Sequence, residues 1–285
     1  LLPFLGAFKL FKIVRNKESN SLNKRGVLFW PVMVTYASGA PYIFNILRFW
    51  KRIPIVLTLQ EGDSEQHLTK RHFGMINLSW KLALRHTHYL TALSKYLLLR
   101  AERLGYSKIG TVIPNGVDVE RFSYKFLPEE LAELRSKIGV SKEDKLLITI
   151  SRLVAKNAVA DTILSLRYLP NNIKLLIAGT GDLEKVLRQL VIDNNLVDRV
   201  KFLGTISHAD LPKYLAISSV MIKPSLSEGF GNAFVEAMCA GVPIIGTNIG
   251  GIPDFLSDPS NSGGQVVTGL FVNVSDPQDI ANKVN

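Results

Sequence analysis

The chain has 285 residues, 47% hydrophobic and 20% charged, enough for two hydrophobic cores in a globular protein. Its single cysteine, Cys239, excludes an intrachain disulfide framework and fits a reducing compartment. The net charge of +10 is uneven: residues 1–125 hold 19 Lys and Arg against 7 Asp and Glu, residues 126–285 hold 15 against 17.

The first predicted element is a helix. "LLPFLGAFKLFK" puts Leu1, Leu5, Phe8 and Phe11 at helical spacing with Lys9 and Lys12 beside them. That pattern suits an amphipathic helix lying on a membrane surface, or an ordinary helix facing a core. A basic polar segment, "RNKESNSLNKRG", follows. Residues 26–47 then carry no charge, a stretch long enough to span a bilayer. Pro31, Ser38, Gly39, Pro41 and Asn45 interrupt it, so a buried strand, a loop and a helix are expected instead.

From there short β-branched runs alternate with helical segments: "VLFWPVMV", "IPIVLTL", "THYLTAL", "IGTVIP", "KLLITI", "IKLLIAG", "RVKFLG", "SVMIKPS" and "VPIIGT". This rhythm predicts an α/β fold, and continuous apolar strands predict parallel sheets covered on both faces. "PNGVDVERF" (114–122) breaks the rhythm close to where the charge balance changes, making it the candidate hinge. The expected division is an acceptor-side domain over 1–117 and a second domain over 118–285. A basic half joined to a near-neutral one predicts different partners for the two. Basic faces attract anionic lipid headgroups, nucleic acid or an anionic substrate, although a merely solvated lysine-rich surface reads the same way.

The chain closes on "DPQDIANKVN", which reads as a helix start with Asp276 and Pro277 in place, then cut short. With Leu rather than Met at position 1, a fragment at both ends is expected. No secretory leader is legible, so a cytoplasmic location is expected, peripheral on the inner membrane face if the basic half docks there.

"SLSEGFGNAFVEAMCAGVPIIG" (225–246) places Glu228 before a glycine-rich turn and Glu236 after it. A strand, a loop and a helix fit it, with Asn232 as the favoured N-cap and Gly241 and Pro243 as the stop. Backbone N–H groups at a helix start form an anion site that glycines let a phosphate approach closely. Glu236, in about the first turn, would reach the rim of such a ligand, where a carboxylate suits sugar hydroxyls better than phosphate. Glu228 would face the ligand's other side. The plainer alternative is a surface turn with two solvated glutamates, and Cys239 in the same helix reads as a small buried hydrophobe.

Arg152 and Lys156 follow directly on the strand "KLLITI". Beyond the carboxyl ends of parallel strands is where open α/β sheets bind ligands, and two cations there suit a diphosphate. "AGTGDLE" (178–184) lacks the third glycine of a dinucleotide fingerprint and reads as another tight strand-to-helix turn. Histidines 67, 72, 86, 88 and 208 have no spacing that makes a metal site. No Walker A, G-x-S-x-G or Cys–His arrangement is present.

In chain order, "VIPNGVD", "SRLVAKN", "IAGTGDLE", "VKFLGTISHADLPKYL" and "KPSLSEGFGNAFVEAMCAGVPIIGTNIGGIPDFL" resemble the nucleotide-binding half of family 4 (group 1) glycosyltransferases of GT-B fold. Glu228 and Glu236 match that family's E-x7-E motif. The resemblance implies two Rossmann-like parallel-sheet domains, the N-terminal one incomplete. It implies that Glu236 binds the ribose hydroxyls of a nucleoside-diphosphate sugar. Gly229, Phe230, Gly231 and Asn232 would hold sugar and phosphate through their backbone. Arg152 and Lys156 would neutralise the diphosphate, and Glu228 would touch the sugar near the reacting carbon. It further implies transfer with retention to a glycan or lipid hydroxyl, no cofactor, no bound metal and no nucleic-acid partner.

Two departures stand out. Residues 1–30 hold no match to the family's opening strand and glycine-rich loop. Where a histidine commonly follows the strand "IPIVLTL", this chain has "QEGD", leaving Glu61, Asp63 and His67 as the residues available. Three rival readings therefore stand beside the transferase: a sugar-nucleotide epimerase or phosphorylase, a non-catalytic membrane- or partner-docking module, and a dehydrogenase.

Overall fold

The structure is a computed structural model that describes residues 2–19, 27–34, 39–48, 52–63, 75–259 and 266–285. Its contacts divide the chain into two compact units, Leu1–Asn115 and Gly116–Asn285, with the division inside the 114–122 segment.

The first unit runs α1 (Leu2–Ser19), α2 (Gly39–Leu47), β1 (Val56–Leu59), α3 (Met75–His86), β2 (Tyr89–Ala92), α4 (Lys95–Arg103) and β3 (Gly110–Val112). The three strands pair in parallel in that order. The expected strand "VLFWPVMV" is reduced to two isolated bridges, Phe29 to Ile55 and Val32 to Thr58. Only alternate residues turn inward: Phe29 is buried, while Trp30 is 67% exposed. Asn45 explains the path after α2, its Nδ2 donating to Ile53 O at 2.8 Å and its Oδ1 accepting from Ile53 N at 3.0 Å. Of the described large residues that marked a stripe on α1, Phe11 turns inward and Leu5 and Phe8 do not. Ala7 and Val14 are buried and Phe11 packs 4.4 Å from Phe44, whereas Leu5 and Phe8 face outward.

The second unit runs α5 (Val119–Phe122), α6 (Pro128–Lys137), β4 (Lys145–Ile150), α7 (Val159–Ser165), β5 (Ile173–Ala178), α8 (Glu184–Asp193), β6 (Val200–Gly204), α9 (Leu211–Ala216), β7 (Val220–Lys223), α10 (Asn232–Cys239), β8 (Ile244–Thr247), β9 (Leu270–Val272) and α11 (Pro277–Val284). All pairs in its six-stranded sheet are parallel, in the order β6-β5-β4-β7-β8-β9. Successive side chains alternate across the sheet. Leu147, Leu175 and Ile177 pack with Ile163, Leu187 and Ile280 on one face. Leu146, Ile148 and Leu176 pack with Leu134, Leu215 and Phe234 on the other. Both faces are covered, which is why the strands read as unbroken apolar runs.

The last strand, β9, is not among the expected ones; it is only three residues long, within the apolar run "VVTGLFVNV". The expected cap of α11 is present, with the Asp276 side chain accepting from Asp279 N at 3.0 Å.

Among the described residues, Met33, Ala158, Asn195 and Ser275 are non-glycines with left-handed φ, and Ala158 lies beside the site loops. Ala158 joins the short 3-10 turn Ala155–Asn157 to α7 with φ 49 and ψ 38, left-handed values that suit glycine. Ala158→Gly is therefore expected to stabilise the protein by about 0.5–1 kcal/mol, measured as a raised denaturant midpoint. A lowered midpoint would contradict the strain.

Candidate active site

The sheet order reverses between β4 and β7, so the crevice beyond their carboxyl ends is the topological switch point where such sheets bind ligands. The loops leaving β4, β5, β7 and β8 meet there and are tied together through their backbones.

After β4, Leu153 N donates to Thr180 O at 2.9 Å and Asn157 Nδ2 donates to Arg152 O at 2.7 Å. Gly179 lies so close that a Cβ on it would sit 1.9 Å from Ser151 O, at a φ of +137. The glycines of "AGTG" thus serve the packing of one loop on another. Arg152 is exposed and lines a hollow of about 260 Å³ with Ser151, Gly179, Thr180 and Thr205. Lys156 sits on the 3-10 turn, and its carbonyl accepts from Leu226 N at 2.7 Å, joining the β4 loop to the β7 loop.

The β7 loop is held from the other side by the β8 loop. Thr247 Oγ1 donates to Ser225 O at 2.6 Å, and Gly251 N donates to Glu228 O at 3.1 Å. A Cβ on Gly250 would lie 2.0 Å from Glu228 O. Phe230 anchors the loop, its buried ring edge-on to Phe255 with centroids 5.4 Å apart. Ser151 Oγ and Ser225 Oγ, buried in the β4 and β7 loops, have no hydrogen-bond partner among the described residues. Buried hydroxyls without partners are uncommon, although Trp80 Nε1 and Thr162 Oγ1 share that state away from these loops.

The start of α10 differs in detail from the expectation. Gly231, not Asn232, is the N-cap, with φ 91, and Asn232 is the first helical residue. That φ is one glycine adopts readily, and no side chain caps the helix start. Glu236 accordingly falls one residue further along, as the fifth helical residue, just past the first turn. Cys239 is half-buried rather than buried, its Sγ 3.9 Å from Val119 O.

The two glutamates have different partners. Glu228 pairs with Lys223 Nζ, and both side chains are largely buried, 16% and 8% exposed. Glu236 Oε1 lies 3.1 Å from His208 Nε2, and His208 Nδ1 lies 3.0 Å from Arg121 Nη1. A guanidinium only donates, so Nδ1 accepts and Nε2 carries the proton that bonds Glu236. Arg121 is in turn paired with Asp118 at 3.4 Å. Sequence reasoning missed Lys223, His208 and Arg121. For Lys223 the signal was present, a lone cation ending an otherwise apolar strand.

In the first unit, Glu61 follows β1 and is 5% exposed. It accepts from Val34 N, and from Gln60 N at 3.0 Å. Burial pushes its carboxyl above the usual carboxylate range, against those N–H groups and the nearby Arg100, which pull it down. Arg100 donates to Asp63 O at 2.8 Å and to the Tyr96 hydroxyl. His67 lies outside the described residues. Among the described residues, no group of three or more His, Cys, Asp and Glu is placed to hold a metal ion.

The family model of glycosyl transferases group 1 matches residues 131–285, more than half of the chain. The chain belongs to that family. This group 1 chain is 30% identical over 236 residues to the N-acetyl-alpha-D-glucosaminyl L-malate synthase of Bacillus anthracis, covering 82% of this chain and 58% of that protein. It is 33% identical over 198 residues to a GDP-mannose-dependent alpha-(1-6)-phosphatidylinositol monomannoside mannosyltransferase of Mycobacterium tuberculosis, covering 65% and 50%. The crystal structure of Anabaena Alr3699/HepE in complex with UDP and glucose matches with a TM-score of 0.76 at 25% identity, over 90% of this chain and 67% of that one. The α/β architecture of two parallel-sheet units is therefore that of GT-B glycosyltransferases. The group 1 chain spans about half the length of the curated relatives it matches.

Proposed function

We propose that the full protein is a retaining family 4 glycosyltransferase that moves a sugar from a nucleoside-diphosphate sugar to a hydroxyl of a glycan or lipid. The observation that carries this reading is the convergence of Arg152, Lys156 and the glycine-capped start of α10 at the switch point of the second unit. That arrangement fits a diphosphate, and UDP and glucose in the Anabaena relative support it.

In the reaction, the bond between the anomeric carbon and the β-phosphate oxygen breaks as the acceptor oxygen bonds the same face of that carbon. The acceptor proton passes to an oxygen of the departing diphosphate. Positive charge grows on the sugar and negative charge on the diphosphate. Arg152, Lys156 and the N–H groups of Gly229, Gly231 and Asn232 act on that negative charge, and Glu228 lies on the sugar side. Glu236 holds the ribose hydroxyls, and Phe230 fixes the loop. The two cations fill the role a divalent ion plays elsewhere, so no metal and no cofactor are required. Screening nucleotide sugars with the full-length protein, following nucleoside diphosphate release with and without membrane lipids, tests this. Release that needs no acceptor and leaves an altered sugar nucleotide would favour an epimerase.

One observation favours a lipid acceptor on an anionic membrane. On α1, Leu5, Phe8 and Ile13 are exposed, interleaved with the exposed cations Lys9, Lys12 and Arg15. Each cation near an anionic bilayer contributes about 1 kcal/mol, screened by salt. The docking proposed is peripheral, on the cytoplasmic face, through this amphipathic helix; no helix among the described residues is long and apolar enough to cross a membrane. The full-length protein is expected to float with anionic vesicles at low salt and to be released at high salt. Equal flotation with neutral vesicles, or none with either, would point to a soluble acceptor.

A further inference from the structure

We propose that Lys223 is a positioning residue for the reaction, holding the Glu228 carboxylate, charge-compensated, toward the donor sugar; this rests on the donor-site reading above. Lys223 is the last residue of β7, the strand that borders the switch point, and its side chain is 8% exposed. Its neighbours Met221 and Ile222 are fully buried, and Lys223 stands in the same apolar strand. Placing an ammonium there is costly unless it is paired. Its pairing is specific: Nζ bonds Glu228 and lies 5.5 Å from the centroid of the Phe234 ring.

The surroundings leave Glu228 little choice of position. Its carbonyl is pinned by Gly251 N and crowded by Gly250. Its Cγ lies 3.2 Å from where a Cβ on Gly231 would be, so the side chain runs beneath the cap of α10. Lys223 fixes the remaining freedom, that of the carboxylate itself. It also compensates the charge of a largely buried carboxylate. Without it, Glu228 would swing toward water and away from the sugar. With it, the carboxylate presents one oxygen to the ammonium and the other to the sugar. Phe234, fully buried under Gly231 and Gly246, ties this pair to the helix whose N-terminus faces the ligand.

The inference separates sugar from nucleotide. Lys223→Met should weaken binding of the sugar nucleotide about tenfold and lower kcat by about a hundredfold. Binding of the parent diphosphate should change by less than about twofold, because Glu228 faces the sugar. In a Glu228→Gln background, Lys223→Met should have little further effect, the non-additivity expected of two residues acting as one. The test is calorimetry on the full-length protein with UDP-glucose, GDP-mannose and ADP-glucose, each paired with its parent diphosphate, plus turnover of the donor used. Equal loss of sugar nucleotide and diphosphate in Lys223→Met means that Lys223 only supports the loop and overturns the proposal, while the donor-site reading stands. Additive effects of the two substitutions overturn it in the same way. A wild-type protein that binds none of the diphosphates overturns both.

Discussion

Arg152→Ala and Lys156→Ala are each expected to lower kcat by about 10²–10³-fold while raising the donor KM far less. The reason lies in when the charge appears. The diphosphate gains negative charge as the glycosidic bond breaks, so a cation aimed at it stabilises the transition state more than the bound donor. A donor preorganised against such charge contributes about 2.7–4 kcal/mol. The positions are preorganised: the Arg152 carbonyl is held by Asn157, and Lys156 is locked to Leu226 through its own carbonyl. Arg152 is exposed, so its loss empties no core and the melting temperature should hold. Steady-state kinetics decide the matter. A rise in KM equal to the fall in kcat/KM, with kcat untouched, would mean uniform binding and contradict leaving-group stabilisation.

Glu236→Ala should weaken sugar-nucleotide binding by about 1–3 kcal/mol, the cost of leaving ligand hydroxyls and site groups unpaired. The carboxylate is held ready by His208, itself fixed by Arg121 and Asp118, so little ordering is left to bring about on binding. The substitution leaves the alternating core beneath α10 untouched, because Phe234 and Ala237 fill it and Glu236 does not. Calorimetry with the sugar nucleotide and with its parent diphosphate should show the same loss, since the ribose is common to both. An unchanged affinity would remove the ribose assignment.

How much of this was legible depended on how local each signal was. The strands β4 to β8 could be read because a sheet covered on both faces demands unbroken apolar runs, and Leu146 to Ile148 supply one. β9, only three residues long within the apolar run "VVTGLFVNV", was not among the strands expected. The E-x7-E spacing located the loop, but not which residue caps α10: asparagine is the commoner cap, and only the φ of Gly231 reveals why glycine stands there. The large apolar residues of α1 fitted a membrane-facing or a core-facing stripe alike, whereas the core contacts come from Ala7, Val14 and Phe11, with Leu5 and Phe8 exposed. Small residues allow that close packing, with Gly6 approaching Ala40 so nearly that a Cβ would sit 2.8 Å from its methyl. Side-chain partners across the chain, His208 to Glu236 or Arg100 to Asp63, join residues far apart in sequence and leave no spacing to read.

The measurement closest to the central claim is the affinity of the full-length protein for nucleosides, nucleoside monophosphates and nucleoside diphosphates, taken by calorimetry with a chelator present. If Arg152, Lys156 and the start of α10 form a diphosphate site, affinity should rise with each phosphate, and the step to the diphosphate should shrink in Arg152→Ala. Equal affinity for mono- and diphosphates, or binding that appears only when a divalent ion is added, would contradict the account.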